Sequence, residues 1–160
     1  MKENVKQTVF VNALIHNANQ RVLVVRRSQN DHFLLGYLEL PGGRVEHGEN
    51  LEHALRRKLS EELNLGSELP MYFTSFAKSN KQGPYLRAVF EVSYNQRQPI
   101  VLSNAHNEYE WIDYQAIPEE KITTDSREVL QQYLGTHQKY SNEKKNTTLT
   151  LFSDGGSRGN

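Results

Sequence analysis

Cysteine is absent from the 160 residues, so neither a disulfide framework nor a thiolate metal site can be built, which suits a chain kept in a reducing cytosol. A charge excess is missing too. The 19 Lys and Arg balance the 19 Asp and Glu, leaving no global field to draw nucleic acid or an anionic membrane, so any phosphate binding must be local. No apolar run approaches the roughly 20 residues of a membrane span, and the opening MKENVKQ lacks the apolar centre of a signal peptide. These absences predict a soluble, cytoplasmic protein with no membrane partner and no strong nucleic-acid binding by this part alone. Its length suits one core-bearing domain with a tail rather than two ordinary domains.

What is present is organised around Leu40 to Leu65, LPGGRVEHGENLEHALRRKLSEELNL. Pro41, Gly42 and Gly43 permit a tight turn. After it, Leu51, Leu55, Leu59 and Leu63 recur every fourth residue and predict one buried stripe of a helix. Asn50 is placed to cap the start of that helix, and Asn64 to Ser67 form its end. At about 100° per residue, Lys58, Glu61 and Glu62 project from an arc beside the stripe, with Arg57 next to Glu61. A glutamate-rich helix face is ordinarily solvated, and only the glycine turn and the spacing set this one apart.

The stretch resembles the Nudix box, G-x5-E-x7-R-E-U-x-E-E-x-G-U with U aliphatic. Gly43, Glu49, Arg57, Leu59, Glu61, Glu62 and Leu65 match position for position, and Gly36 to Gly43, GYLELPGG, is similar to the family's approach strand. Lys58 stands where the family has the first glutamate of R-E-U-x-E-E, and Asn64 where it has glycine. Asn tolerates the left-handed conformation that such a glycine supplies. The lysine is the serious departure.

Along the rest of the chain, Thr8 to His16 and Arg21 to Arg27 read as a hairpin, Tyr37 to Leu40 as a short strand, and Met71 to Ala77 and Tyr85 to Tyr94 as two strands parted by the loop Lys78 to Pro84. Ile100 to Leu102 and Glu110 to Asp113 suggest short strands. A second helix is expected near Ser126 to Leu134, with Asp125 and Glu128 at capping-box spacing and Gly135 as its stop. Interleaved strands and helices argue an α/β or α+β domain. The resemblance sharpens this to an α/β/α sandwich with a mixed β-sheet over residues 1–135. Residues 136–146 read as a polar linker. Residues 147–160, TTLTLFSDGGSRGN, resemble the opening strand of a type 1 ribonuclease H, with Asp154 matching one of its magnesium-holding carboxylates. One strand cannot supply a site that needs several, so no ribonuclease activity is assigned, and a longer parent with a fused ribonuclease H domain is the expected origin. A disordered glycine-rich end is the plainer reading.

The resemblance implies magnesium-dependent (or manganese-dependent) pyrophosphohydrolysis of a nucleoside diphosphate linked to another moiety. It assigns the metal to Glu61, Glu62 and the Gly42 carbonyl, and the catalytic set to Glu61, Glu62, Arg57 and Glu49, with Arg57 pairing Glu49 to hold loop to helix. Lys58 replaces a metal ligand. It lies i,i+4 from Glu62 and can take over the ion's electrostatic role, so weakened metal binding is expected. A downstream S-x-E-H-x-E-Y-x-W pattern appears as Ser103 to Trp111, SNAHNEYEW, with Ala105 where the family has another acid. Arg27, Glu108 and His106 are candidate substrate contacts. Against them, an arginine pair ending a strand is often a solvated edge device, and a loop histidine is often neither base nor contact. Tyr85, Tyr109 and Trp111 either stack on a base or pack in the core. The competing reading of the whole is a noncatalytic nucleotide-binding or regulatory module serving a fused ribonuclease H-like partner. Substrate choice is expected to lie in the loops Ser28 to Gly36 and Lys78 to Pro84.

Overall fold

A computed structural model describes residues 4, 6–28, 36–117 and 121–137. Strand β1 (Thr8–His16) is apolar on both faces, because Val11, Ala13 and Ile15 point to one core cluster while Leu14 joins another. β2 (Arg21–Arg27) repeats the device, with Leu23 and Val25 on the first side and Val22 and Val24 on the second. A strand buried on both faces needs a layer on each. Helix α1 (Leu51–Leu63) covers the first side with Ala54, Leu55, Leu59 and Leu63. Helix α2, residues 124–137, covers the second with Val129, Leu130 and Tyr133.

The sheet runs β3 (Leu38–Glu39), β2, β1, β6 (Gly83–Ser93), β5 (Met71–Asn80), while β4 (Gly42–Arg44) pairs with β1 and β7 (His106–Asp113) pairs with β2. β1 and β6 are parallel from Thr8↔Tyr85 to His16↔Ser93, whereas β5 pairs antiparallel with β6, so the sheet is mixed. The domain is the expected sandwich. No helix among the described residues is long and apolar enough to cross a membrane.

Both caps of α1 lie where the sequence puts them. Asn50 Oδ1 accepts the His53 N–H at 2.7 Å, and Asn64 turns left-handed at φ 59°. Elsewhere the elements differ from expectation. The loop predicted for Lys78 to Pro84 is mostly strand, because β5 and β6 stay paired to Asn80↔Gly83 and only a tight turn remains. Ile100 to Leu102 form no strand; Ile100 and Leu102 pack on the α1 core while the Val101 amide donates to Leu63 O at 3.1 Å. β7 starts earlier than Glu110 because its register with β2 reaches Arg27↔His106. In α2 the cap is Thr123, whose Oγ1 accepts from Ser126 N at 3.4 Å, and the helix runs through Gly135. Asp125 is drawn instead to side chains of β5 and β6. Residues 136 and 137, expected to open the linker, are still helix, while most of the loop Ser28 to Gly36, the rest of the expected linker and the ribonuclease H-like strand lie outside the described residues.

Candidate functional site

The glycine turn is itself a strand. Gly42 (φ 147°) and Gly43 lie flat on β1 opposite Asn12 and Val11. A methyl at Gly42 would sit 2.0 Å from Val11 O, and one at Gly43 would sit 2.2 Å from Lys58 Cε. Only glycines allow β1 below and the Lys58 stem above to come this close.

Lys58 therefore lies folded over the turn rather than out in solvent. Its Nζ is 3.1 Å from Glu62 Oε1, and the two side chains are 22% and 10% exposed. The other carboxylate oxygen, Glu62 Oε2, is buried and has no hydrogen-bond partner. A buried carboxylate oxygen without a partner is a place that a hydrogen-bond donor or a cation fits. Glu61, by contrast, is 55% exposed and lies 3.4 Å from Arg57 Nη1.

Arg57 ties the turn, its following loop and α1 together. Nε and Nη2 grip Glu49 at 2.8 and 2.7 Å in a two-point fork, and Nη2 also donates to Arg44 O at 3.1 Å. Glu49 accepts the Glu46 amide as well, at 2.8 Å. The Arg57 guanidinium first, and that amide second, hold the Glu49 carboxyl down to about 2. Because the folded value lies below the ordinary 4.5, this support is intact above that pH and is lost as pH falls through about 2. An NMR titration of the Glu49 carboxyl carbon is expected to show its midpoint near 2, and Glu49→Gln is expected to remove the acid-side release of residues 44–49.

The three candidate substrate contacts separate. Arg27 Nε meets Glu39 Oε2 at 3.0 Å, and His106 Nε2 meets Glu39 Oε1 at 3.3 Å, so both converge on a glutamate that the motif reading did not single out. His106 is buried, with Nδ1 unpartnered, as is the nearby Ser28 Oγ. Glu108 is elsewhere, paired with Arg26 across β2 and β7. The Ser103 amide donates to Glu62 O at 3.0 Å, which docks the Ser103 to Ala105 loop on α1 beside the buried glutamate. Of the aromatic candidates, Tyr85 is buried, Trp111 packs against Tyr94 at 5.3 Å, and Tyr109 is exposed. His47 and His53 face solvent.

A second polar cluster escaped the sequence reading. On the α2 side, Asp125 accepts from Lys78 (2.9 Å), Tyr85 (2.7 Å) and Arg87 (3.1 Å), and Lys78 also meets Glu128 at 2.5 Å. Burial pushes Asp125 up, but Lys78, Tyr85 and Arg87 outweigh it and leave the carboxyl below its ordinary value. One signal was available. Asn12 is a lone amide inside VFVNALI, and a buried amide in a strand needs partners.

An open hollow of about 520 Å³ lies over the outer side of α1 by His53, Arg56, Ser60 and Gly66. Arg56 there is held by Glu52 at 3.1 Å and by Gly66 O at 3.1 Å, so the hollow is lined by charges already paired.

Comparison with known proteins agrees with this geometry. The NUDIX domain profile matches residues 6–133. The chain is 35% identical over 71 residues to the 8-oxo-dGTP diphosphatase of Escherichia coli (strain K12), covering 44% of this chain and 52% of that protein. It is 35% identical over 60 residues to the enzyme so named in Buchnera aphidicola subsp. Schizaphis graminum, covering 38% of this chain and 45% of that one. The matched stretch thus spans about half the length of these curated relatives. Among solved structures, the MutT protein from Methanosarcina mazei Go1 superposes with a TM-score of 0.75 at 23% identity, over 85% of this chain and 99% of that one. The NUDIX domain of Shewanella oneidensis NrtR, solved with ADP ribose, gives 0.69 at 19% identity, over 82% and 88%. With the box residues assembled around the glycine turn and the profile spanning most of its length, this chain belongs to the Nudix family.

Proposed function

We propose that this domain takes a nucleoside diphosphate linked to another moiety at the glycine turn, and that its metal-dependent pyrophosphohydrolase activity is weakened by Lys58 and Ala105. The observation that carries the proposal is the Lys58 ammonium, 3.1 Å from Glu62 and packed against Gly43. The relatives support the ligand class. Both 8-oxo-dGTP, named for the curated relatives, and ADP ribose, bound to the Shewanella domain, carry a pyrophosphate next to a nucleoside.

Nudix hydrolases use divalent metals, and the residues standing here fit such an ion poorly. Magnesium and manganese prefer several hard oxygen donors and repel a neighbouring ammonium. Glu62 Oε1 already holds Lys58, Glu61 leans toward Arg57, and among the described residues no three His, Asp or Glu are grouped to hold an ion. Glu62 Oε2, buried and without a partner, is an oxygen that fits the role. Hydrolysis therefore loses the charge that would activate water and steady the phosphoryl oxygens.

A second reading is favoured by the same ion pair. A carboxylate neutralised within its own helix suits a cleft that binds a nucleotide without cleaving it, as a regulatory module would. The segment 147–160 extends this to a fused ribonuclease H-like partner.

Calorimetric titration of magnesium and manganese, followed by assays on dinucleoside polyphosphates, nucleotide sugars and oxidised nucleoside triphosphates, tests the proposal. Weak metal binding with slow turnover is expected. Ligand binding with no turnover selects the module reading, and vigorous turnover sinks the weakened-site proposal. Tight metal binding that survives both Glu61→Gln and Glu62→Gln would show that the site lies elsewhere.

A further inference from the structure

The approach to the glycine turn is held from the far side of the sheet, by residues that the family box does not contain. Asn12, buried in β1, donates from Nδ2 to Leu40 O at 2.9 Å and to Pro41 O at 3.4 Å. Its Oδ1 accepts from Arg87 Nη1 at 2.6 Å. An amide facing carbonyls on one side and a guanidinium on the other has one workable orientation, since turning it over would aim oxygen at oxygen and nitrogen at a cation. Arg87 Nε in turn donates to Asp125 in the first turn of α2, at 3.1 Å, and its guanidinium lies over the Phe10 ring at 4.8 Å.

The next residue of α2 completes the grip. Leu40 N donates to Ser126 Oγ at 3.0 Å. The N–H of Leu40 is thus taken directly by α2, and its C=O indirectly through Asn12, Arg87 and Asp125. Before the turn, Leu38 N donates to Lys121 O at 2.7 Å and Thr123 N to Leu38 O at 2.9 Å, so the same α2 approach also runs alongside β3. From the α1 side, Gly43 meets the Lys58 stem, and the strand is held one residue later, where Arg57 Nη2 donates to Arg44 O at 3.1 Å.

We infer that Asn12 and Arg87 are positioning residues, which transmit the placement of α2 to Leu40, Pro41 and Gly42 and so set where the glycine turn stands relative to Lys58 and Glu62. The ligand arm of this inference rests on the proposed pyrophosphate cleft; the mechanical arm does not. The relay is built from hydrogen bonds rather than packing, so it is separable from the core. Asn12→Asp keeps the volume and the acceptor for Arg87 but replaces the donor with an oxygen facing two carbonyls. Arg87→Met keeps the apolar stem over Phe10 and removes the donors. Arg87→Lys keeps a cation that reaches one acceptor at a time.

Amide hydrogen exchange, read residue by residue, and calorimetric titration with ADP-ribose test it. In Asn12→Asp and Arg87→Met, exchange at residues 43–45 is expected to rise about tenfold, against a change of about twofold or less at the α1 core amides of residues 55–63. Arg87→Lys is expected to recover part of the protection, and ADP-ribose affinity to fall in the same order. Unchanged exchange at residues 43–45 would overturn the relay, as would a parallel rise throughout α1, which marks plain destabilisation. If the turn loosens while ADP-ribose binds as it does to the wild type, the relay stands and the cleft reading fails. If affinity falls with the turn still protected, the relay fails and the cleft reading stands.

Discussion

Lys58→Glu combined with Ala105→Glu is expected to bind manganese on the order of 10²–10³-fold more tightly than the wild type and to gain metal-dependent hydrolysis of ADP-ribose. The ammonium lies 3.1 Å from the carboxylate that the family assigns to the ion, and both side chains are mostly shielded from water. At an effective dielectric of 20 a unit charge about 4 Å away is worth on the order of 4 kcal/mol, and each 1.4 kcal/mol is about tenfold. Glutamate at position 58 converts a repulsion of that size into an attraction, which the mutual repulsion of the new carboxylates reduces before the ion arrives. The second substitution adds an acid to the loop that docks on α1 through Ser103 N and Glu62 O. Calorimetry and phosphate release measure the two gains. A double variant that binds manganese no better than the wild type would mean that the ammonium is not what weakens the site.

Lys58→Met separates charge from shape. It leaves the buried Glu62 without its half-exposed partner, and a buried acceptor that loses its donor costs roughly 1–3 kcal/mol. Folding stability should therefore fall in Lys58→Met and recover in Lys58→Met combined with Glu62→Gln.

The second large effect belongs to Gly42. Alanine there is expected to remove roughly 4 kcal/mol of stability or more, placing it among the exceptional substitutions. At about 2–4 °C per kcal/mol for a domain of this size, the melting temperature falls by on the order of 10 °C. Its new methyl would lie 2.0 Å from Val11 O and 2.7 Å from Asn12 Cα, both backbone atoms of a central strand, and φ 147° is unfavourable for any side chain. Nothing can swing aside. Gly43→Ala makes the informative contrast, because its methyl meets Lys58 Cε at 2.2 Å and the end of a lysine side chain can move. Gly43→Ala should stay folded and displace Lys58 from Glu62. Thermal unfolding of the two variants decides the point, and equal melting temperatures would show that the turn is not pressed onto β1.

Much of the site was readable beforehand because it is local. Asn50 and Asn64 bound α1 through contacts spanning a few residues, the leucine stripe follows from helical period, and Lys58 faces Glu62 because four residues make about one turn. The pairing of Glu49 with Arg57 was implied by the family box, and the helix spacing brings it within reach. The second cluster could not be read this way. Asn12 and Arg87 are 75 positions apart, and Arg87 and Asp125 are 38 apart. Asp125 illustrates the cost of local rules, since its capping-box spacing with Glu128 was overridden by cations of β5 and β6, leaving Thr123 to cap α2. Likewise Glu108 and His106 looked alike in sequence, yet one pairs with Arg26 and the other turns inward to Glu39.

By itself, then, the order of residues determined the glycine turn, the helix that follows it, the two-faced apolar strands, and the presence of an ammonium where the family box has an acid. Only the tertiary structure decided that this ammonium lies half-buried over the turn, and that the turn is gripped from the opposite face through Asn12 and Arg87. The reason is physical: periodicity and capping act over a few residues and leave their marks in adjacent positions, whereas buried hydrogen bonds are chosen by which strands the sheet sets side by side.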